Sequence, residues 1–446
     1  MRRLLDRVLY TLARIAALGF FRQVEVTGRH HVPGGGVPCL VVANHFNGFV
    51  DALLVVRGVG RLPRFLAKAT LWNVRPARLL YAAVGMVPVY RRADAELSGS
   101  TSTESGNQST FRRAHQVLAE GQLIAIFPEG TTHDEPRLAE MRTGAARIAL
   151  GAAAEGIRNL QILPVGVVTE DKLETRSRGL AQIGAPIDLD RELAAAGRAF
   201  DTGEDDREAV RVLTDRIADE LRAITPDFDS GREYGALTLA AEMIARNPGR
   251  SVKGEVQLSV RERLAKQLGS LPADEQAAIR AAVADYQLDL ALAGVRDSEV
   301  VAGLAGRSVA LRLARSAATL LILAPMALVG IVVNLLPALL VVVAGQRPEA
   351  PVSKGTTRVL VGLAVFPLTW WAVSFAATDG WLRVLLAMAG LALCGLAAAM
   401  WAEVASWSLR DLRAWRAIRN RRAVIAPVRD HRAELVDRLE RLAGDA

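Results

Sequence analysis

The stretch CLVVANHFNGFVDALLV, residues 39–55, begins with an apolar run, continues through polar residues and ends in a helix-like segment. A short apolar run that ends in turn residues is typical of a buried strand, so we expect a strand over its first five residues. Asn47 and Gly48 are suited to the turn that must follow, and this turn can bring His45 close to Asp51. A histidine next to a carboxylate can act as a general base, because the carboxylate fixes the tautomer and stabilises the imidazolium.

The same pattern continues outward from this stretch, with further apolar runs at Leu123–Phe127, Gln161–Val168 and Leu180–Ile183. Segments with helical periodicity lie between the runs, as over residues 111–118. This alternation predicts an α/β domain over residues 31–190.

Composition restricts the class of protein. The chain has 446 residues, 51% of them apolar, and a mean hydropathy of +0.21, which indicates several domains and a part that lies in lipid. The two cysteines, Cys39 and Cys394, predict neither a disulfide framework nor a cysteine metal site. The net charge of +8 suits an anionic partner. Since no nucleic-acid motif is visible, we expect that partner to be membrane phospholipid and not nucleic acid.

Segments on either side of the α/β domain differ from it in composition. Residues 1–30 mix arginines with apolar residues, which predicts an amphipathic helix associated with the membrane; an ordinary packed helix is an equal alternative. Residues 191–310 are rich in Ala, Glu, Arg and Leu at helical period and predict a helical region without assigned chemistry. Within the domain, the Ser/Thr/Gly-rich segment 93–110 predicts a flexible surface loop.

A membrane region is predicted over residues 311–405, which contain three apolar blocks. The block at 317–344 is longer than one span needs and has two prolines and an asparagine near its middle, so we expect a re-entrant hairpin. The blocks at 359–377 and 381–401 each approach the ~20 residues of a membrane-spanning helix. Basic residues after the first block and in the tail, 406–446, predict that both are cytoplasmic. The α/β domain would then lie on the cytoplasmic side of the cytoplasmic membrane.

Four sequence blocks occur in order: NHFNGFVD at 44–51, GMVPVYRRAD at 85–94, FPEGTTHD at 127–134 and ILPVGVV at 162–168. With these blocks the chain resembles the glycerol-phosphate acyltransferase superfamily over about residues 37–187. The first block has five residues between its His and Asp, where the commonest form has four. The third block has Thr-His where the commonest form has Arg-Ser. Both departures resemble the branch of the glycerol-3-phosphate and dihydroxyacetone-phosphate acyltransferases.

The resemblance implies an α/β acyltransferase domain with a mixed sheet flanked by helices. It implies that His45 is the general base and that Asp51 orients it. The acceptor would be the sn-1 hydroxyl of glycerol 3-phosphate or dihydroxyacetone phosphate, and the donor the thioester of acyl-CoA or acyl carrier protein, with no metal or other cofactor. The residues that we expect to bind the substrates are Asn47, Arg91, Arg92, Glu129, Gly130, Thr131, His133, Lys172, Arg176 and Arg178.

Some of these expectations have open alternatives. The cluster formed by Lys172, Arg176 and Arg178 is equally compatible with a solvated charge run. Arg142 and Gly144 can open a helix whose N-terminus favours a phosphate, although a structural helix start explains them as well.

Three other functions compete with this interpretation. The first is a lysophospholipid or 1-acylglycerol-3-phosphate acyltransferase, which would use the same His45 and Asp51. The second is a metallohydrolase with His45, Asp51, His133 and Asp134 as ligands, since imidazole and carboxylate bind metals. The third is a non-catalytic membrane protein that binds anionic lipid.

Overall fold

The computed structural model describes most of the chain, which divides into two compact units. The described residues are 2–69, 75–89, 103–172, 174, 176–199, 202–246, 255–301, 306–348, 351–420 and 422–444. The first unit comprises Met1–Asp227 and Pro351–Thr356, and the second comprises Phe228–Ala350 and Thr357–Ala446.

Within the described residues, eight strands form one sheet in the first unit: β1 (Phe21–Thr27), β2 (Cys39–Ala43), β3 (Arg64–Lys68), β4 (Val87–Val89), β5 (Leu123–Ile126), β6 (Gln161–Thr169), β7 (Ser177–Ile183) and β8 (Ile187–Asp188). Their order is β1-β7-β6-β2-β5-β3-β4, with β8 beside β6. All pairs are parallel except β6 with β7 and β6 with β8. The predicted mixed sheet is therefore confirmed. The uninterrupted apolar run of β2 follows from its central position, where both faces are covered.

The helices of the first unit are α1 (Arg2–Phe20), α2 (Phe49–Val59), α3 (Arg75–Val84), α4 (Thr103–Ala119), α5 (Gly144–Ala154), α6 (Leu189–Ala195) and α7 (Arg207–Ile224). The first unit extends past the predicted boundary at residue 190, because α7 buries Leu213, Ile217 and Leu221 in the same core as β2. The predicted loop at 93–110 is corrected for residues 103–110, which are helical; Thr110 donates from its hydroxyl to the carbonyl of Pro88 at 2.7 Å. Residues 93–102 lie outside the described part of the chain.

The second unit contains the rest of the predicted helical region as α8 (Gly231–Ala245), α9 (Leu258–Gly269), α10 (Ala273–Ala293) and α11 (Asp297–Val301). The segment predicted as a basic tail, 406–446, contains a further helix, α15 (Arg422–Gly444). This helix buries Val428, Leu435 and Leu439 in the core of the second unit. The tail is thus part of a packed core, because apolar residues recur at helical spacing among its charges.

Among the described residues, three helices are long and apolar enough to cross a membrane: α12 (Gly306–Gln346), α13 (Pro351–Ala377) and α14 (Trp381–Asn420). The continuous helix α12 corrects the prediction of a re-entrant hairpin over 317–344. A proline in an apolar helix removes one backbone hydrogen bond, and the helix can stay continuous because neighbouring groups satisfy the freed carbonyl. The amide of Asn334 donates to the carbonyl of Gly330 at 2.8 Å and accepts from the indole of Trp370 at 2.8 Å. The predicted sidedness depended on the hairpin and stays a prediction.

Candidate active site

The turn between β2 and α2 brings His45 and Asp51 together. Gly48 has φ 56° and ψ −130°, a conformation that favours glycine, and α2 begins directly after it. This turn places the buried carboxylate of Asp51 in the first turn of α2. The Nδ1 atom of His45 lies 3.1 Å from Oδ2 of Asp51, which also accepts the backbone N–H of Asn47 at 2.7 Å. Asp51 is thus a fixed partner for the Nδ1–H of a neutral His45.

The imidazole of His45 is held flat against a ring from the end of β5. Its centroid lies 4.0 Å from that of Phe127, with an interplanar angle of 13°. The Nε2 atom of His45 has no hydrogen-bond partner among the described residues, and the side chain is 19% exposed. With Nδ1 engaged by Asp51, Nε2 is the nitrogen that can accept a proton from a bound molecule.

Glu129 fixes the backbone of this turn through hydrogen bonds to its buried carboxylate. The side chain is 1% exposed, and Oε1 accepts the backbone N–H of His45 at 2.6 Å. The other oxygen, Oε2, accepts the backbone N–H of Ala139 at 2.9 Å and the Nε2–H of His133. The third block thereby holds the general-base candidate of the first block.

The fourth block is tied to the first by a reciprocal pair of hydrogen bonds. The amide of Asn44 donates to the carbonyl of Val167 at 2.9 Å and accepts the backbone N–H of Val167 at 2.7 Å. The side chain of Asn47 is also buried, and neither its Nδ2 nor its Oδ1 has a hydrogen-bond partner within the described residues.

Lys172, in the loop between β6 and β7, reaches the same edge of the sheet. Its Nζ lies 3.4 Å from the carbonyl oxygen of Asp134, 3.6 Å from Oδ1 of the same residue and 5.5 Å from the ring centroid of Phe46. Burial lowers the pKa of the Lys172 amine, and the charges of Asp134, Asp51 and Glu129 oppose part of this shift. Lys172 is therefore a cation within electrostatic reach of the His45–Asp51 pair.

Arg142 is the cation for which the sequence left two hypotheses, a phosphate-binding helix N-terminus and a structural helix start. Gly130 has φ 69°, and a Cβ atom at Gly130 would lie 3.3 Å from Cγ of Arg142. The backbone N–H of Arg142 donates to the carbonyl of Pro128 at 2.8 Å. Its exposed guanidinium forms no ion pair among the described residues. Its position directly before the helix that follows the third block is the signal that could have placed Arg142 among the expected substrate-binding residues.

The remaining predicted substrate ligands are placed differently. Arg178 is buried and pairs with Glu170 at 2.9 Å. Arg176 donates from its backbone N–H to the carbonyl of Phe20 and from its guanidinium to that of Leu18, so it binds the end of α1. Thr131 is exposed next to Gly130. The predicted ligands that lie outside the described residues are Arg91 and Arg92.

Comparison with known proteins shows which family and which proteins this chain is similar to. Residues 23–168 match the sequence model of the family described as "Acyltransferase". An uncharacterized acyltransferase of Schizosaccharomyces pombe is 25% identical in an alignment of 293 positions that covers 47% of this chain and 43% of that protein. Glycerol-3-phosphate O-acyltransferase 1 of Saccharomyces cerevisiae is 32% identical over 135 residues, which are 29% of this chain and 17% of that protein.

A chloroplastic 1-acyl-sn-glycerol-3-phosphate acyltransferase of Brassica napus is also similar, with 24% identity over 165 residues, which are 37% of this chain and 43% of that protein. The matches thus span less than half the length of each of these relatives. The family model includes all four sequence blocks, and with them His45, Asp51 and Glu129.

Proposed function

We propose that the protein transfers a fatty acyl group from a thioester donor to a hydroxyl of a glycerol-phosphate acceptor, since residues 23–168 match the sequence model of the acyltransferase family. The observation that carries the proposal is the contact between Nδ1 of His45 and Oδ2 of Asp51, 3.1 Å apart, which leaves Nε2 open. The cations Lys172 and Arg142 at the same edge of the sheet suit an acceptor that bears a phosphate.

In the proposed mechanism Nε2 of His45 removes the proton of the acceptor hydroxyl. The hydroxyl oxygen attacks the carbonyl carbon of the thioester and forms the new C–O bond. The C–S bond then breaks, and the leaving thiolate takes the proton back from His45. Asp51 stabilises the imidazolium while it exists. This sequence of steps needs no covalent enzyme intermediate and no cofactor beyond the thioester co-substrate.

Glu129 acts in this mechanism by positioning His45. Its two oxygens already accept from the backbone of His45, the backbone of Ala139 and the ring of His133. This supports a positioning role for Glu129 over the direct substrate contact that the resemblance implies. Lys172 and Arg142 bind the acceptor phosphate, together with Arg91 or Arg92.

The preferred acceptor is glycerol 3-phosphate or dihydroxyacetone phosphate, acylated at the sn-1 position by acyl-CoA or an acyl carrier protein. The third block, FPEGTTHD, supports this choice, since its Thr-His resembles the form found in the branch of the glycerol-3-phosphate and dihydroxyacetone-phosphate acyltransferases. The similarity to the yeast glycerol-3-phosphate O-acyltransferase supports it as well. The similarity to the plant 1-acyl-sn-glycerol-3-phosphate acyltransferase keeps lysophosphatidate as the second candidate acceptor.

The protein works at a membrane through two elements. The first is the set of three apolar helices. The second is α1, whose Asp6 pairs with the buried Arg64 at 2.7 Å while an apolar stripe on the helix stays exposed. Such a stripe, flanked by exposed Arg7 and Arg14, suits the surface of an anionic bilayer. The exposed apolar residues are Leu4, Leu5, Val8, Leu12, Ile15 and Leu18. The arginines at the C-terminal end of α14 support a cytoplasmic location of that end of the helix.

Acyl transfer from labelled acyl-CoA tests the proposal, with glycerol 3-phosphate, dihydroxyacetone phosphate and lysophosphatidate offered in parallel to the full chain in detergent. We expect transfer to one of the first two, and a loss of at least about 10²-fold in His45→Ala, the contribution of a general base. His30→Ala is the matched control, because His30 is an exposed histidine outside the site. Transfer to lysophosphatidate alone would make lysophosphatidate the acceptor in place of the other two. Activity that survives His45→Ala would refute the mechanism.

A further inference from the structure

An open cavity of about 330 Å³ lies in the second unit, where the end of α10 meets α11 and the last turns of α14. Leu290 and Val295 contribute apolar wall to it. The charged residues that line it are Arg296, Glu299, Arg410 and Arg413. The cavity thus combines an apolar side with three cations and one carboxylate.

The single carboxylate does not neutralise the three arginines. Oε2 of Glu299 accepts the backbone N–H of Arg296 at 2.9 Å and so caps the start of α11. Within the described residues, the guanidinium groups of Arg296, Arg410 and Arg413 form no ion pair. Three clustered arginines beside one carboxylate still repel one another, and a bound anion reduces that repulsion.

The acids that lie nearest along the chain already have partners. Asp297, next to Arg296, is 4% exposed and accepts from the hydroxyl of Tyr286 and the guanidinium of Arg432. Asp411, next to Arg410, pairs with Arg312 at 3.1 Å. The positive charge of the cavity is therefore available to a ligand.

The position of the cavity on α14 favours a lipid as that ligand. The apolar part of α14 that can cross a membrane runs from Trp381 to Arg413, so the arginines lie at its end. Trp407 is 43% exposed at this end, and tryptophan is enriched where a membrane helix meets the headgroups. On α10, Leu288 and Leu292 are 60% and 69% exposed next to the residues that line the cavity. An acyl chain can cover such apolar surface while its headgroup lies in the cavity.

From these observations we propose that the cavity binds the phosphate of an anionic glycerophospholipid through Arg296, Arg410 and Arg413. The planar guanidinium donates two parallel hydrogen bonds to phosphate oxygens, which an ammonium cannot do. Basic pockets beside membrane helices are known to hold anionic headgroups. The proposal rests on the membrane location given under the proposed function. The second unit would then bind the same class of lipid, anionic glycerophospholipids, to which the proposed product belongs.

Lipid binding by the purified full chain tests this proposal without any turnover, so its outcome is separate from that of the acyl-transfer assay. Delipidated protein in nanodiscs of phosphatidylcholine receives phosphatidylglycerol or phosphatidate, and retained lipid is quantified by mass spectrometry. We expect selective retention of the anionic lipid, and an apparent affinity lower by at least about tenfold in R410Q/R413Q, since each tenfold corresponds to about one charge-assisted hydrogen bond.

Two further variants and one competitor separate the explanations. R416Q/R419Q removes the same charge from exposed positions of α14 outside the cavity, and we expect less than a twofold change. R410K/R413K keeps the charge but removes the planar guanidinium groups, and we expect an affinity between those of the wild type and R410Q/R413Q. Equal losses in R410Q/R413Q and R416Q/R419Q would overturn the proposal in favour of general charge. Displacement of the lipid by millimolar inorganic phosphate would overturn it in favour of a soluble phosphate ligand.

Discussion

Replacing Glu129 with glutamine removes the charge of the buried carboxylate and keeps its shape. The carboxylate accepts the backbone N–H of His45, the backbone N–H of Ala139 and the ring N–H of His133. A glutamine offers one oxygen and one NH₂ group. In Glu129→Gln the NH₂ group must therefore face at least one backbone donor.

The expected magnitude follows from these contacts. A buried N–H without an acceptor costs about 1–3 kcal/mol, and the remaining bonds lose the strengthening that charge supplies. If the unsatisfied donor is that of His45, the turn moves, and a displacement of about 1 Å can reduce a rate by about 10²-fold. We expect kcat to fall by about 10- to 100-fold while KM for the acceptor changes by less than about threefold, because the substituted residue positions the base and does not contact the acceptor.

Steady-state acyl transfer, measured with whichever acceptor supports it, provides both constants, and thermal unfolding verifies that the variant is folded. Glu135→Gln is the control: it removes a carboxylate from the same segment, where Glu135 pairs with Arg137 at 2.8 Å and both side chains are at least half exposed. An exposed pair contributes about 0–1 kcal/mol, so this variant should match the wild type. The reasoning is refuted if Glu129→Gln raises KM for the acceptor and leaves kcat intact, since Glu129 would then contact the acceptor directly.

Two other predictions concern the turn and the cation. Gly48→Ala places a Cβ on a backbone with φ 56°, and we expect it to lower the free energy of unfolding by about 1–3 kcal/mol and kcat by at least about tenfold. Gly34→Ala is the control, because the space around Gly34 is open, and we expect neither quantity to change. Unfolding and activity assays measure both, and an active, stable Gly48→Ala would contradict the strain argument. Since burial lowers the pKa of Lys172, its amine loses its charge at a lower pH than an ordinary lysine, and KM for a phosphate acceptor should rise with pH over that range. Lys172→Arg should flatten that pH profile because arginine keeps its charge, and exposed Lys68→Arg should leave it unchanged; identical profiles in all three proteins would exclude Lys172 from phosphate binding.

Several features of the site were predictable because they depend on residues that are close in the chain. The apolar run of β2 has the predicted bounds, since a central strand buries both faces and needs apolar residues throughout. The approach of His45 to Asp51 followed from the turn at Gly48, which is a local property of the backbone. The order of the four blocks was sufficient to indicate the family.

Other features depend on contacts between segments that the sequence places far apart. The edge strand β1, with its alternating polar residues, and the short β3 had no clear apolar signal of their own, and each forms because a neighbouring strand supplies its hydrogen bonds. The helix α7 joins the core of the first unit through an apolar face that could have packed elsewhere. The prolines of α12 predicted an interruption, yet the helix is continuous.

The sequence by itself determined which reactive pair is present: a histidine and, six residues later, a carboxylate, within one short block of defined spacing. Only the tertiary structure decided what each group touches. It buried Glu129 under the backbone of His45, turned Arg178 toward Glu170 and brought Lys172 to the carbonyl of Asp134. The physical reason is that spacing along the chain fixes only local geometry, while the partner of a buried charge is set by which strands lie side by side and by the cost of leaving that charge unpaired.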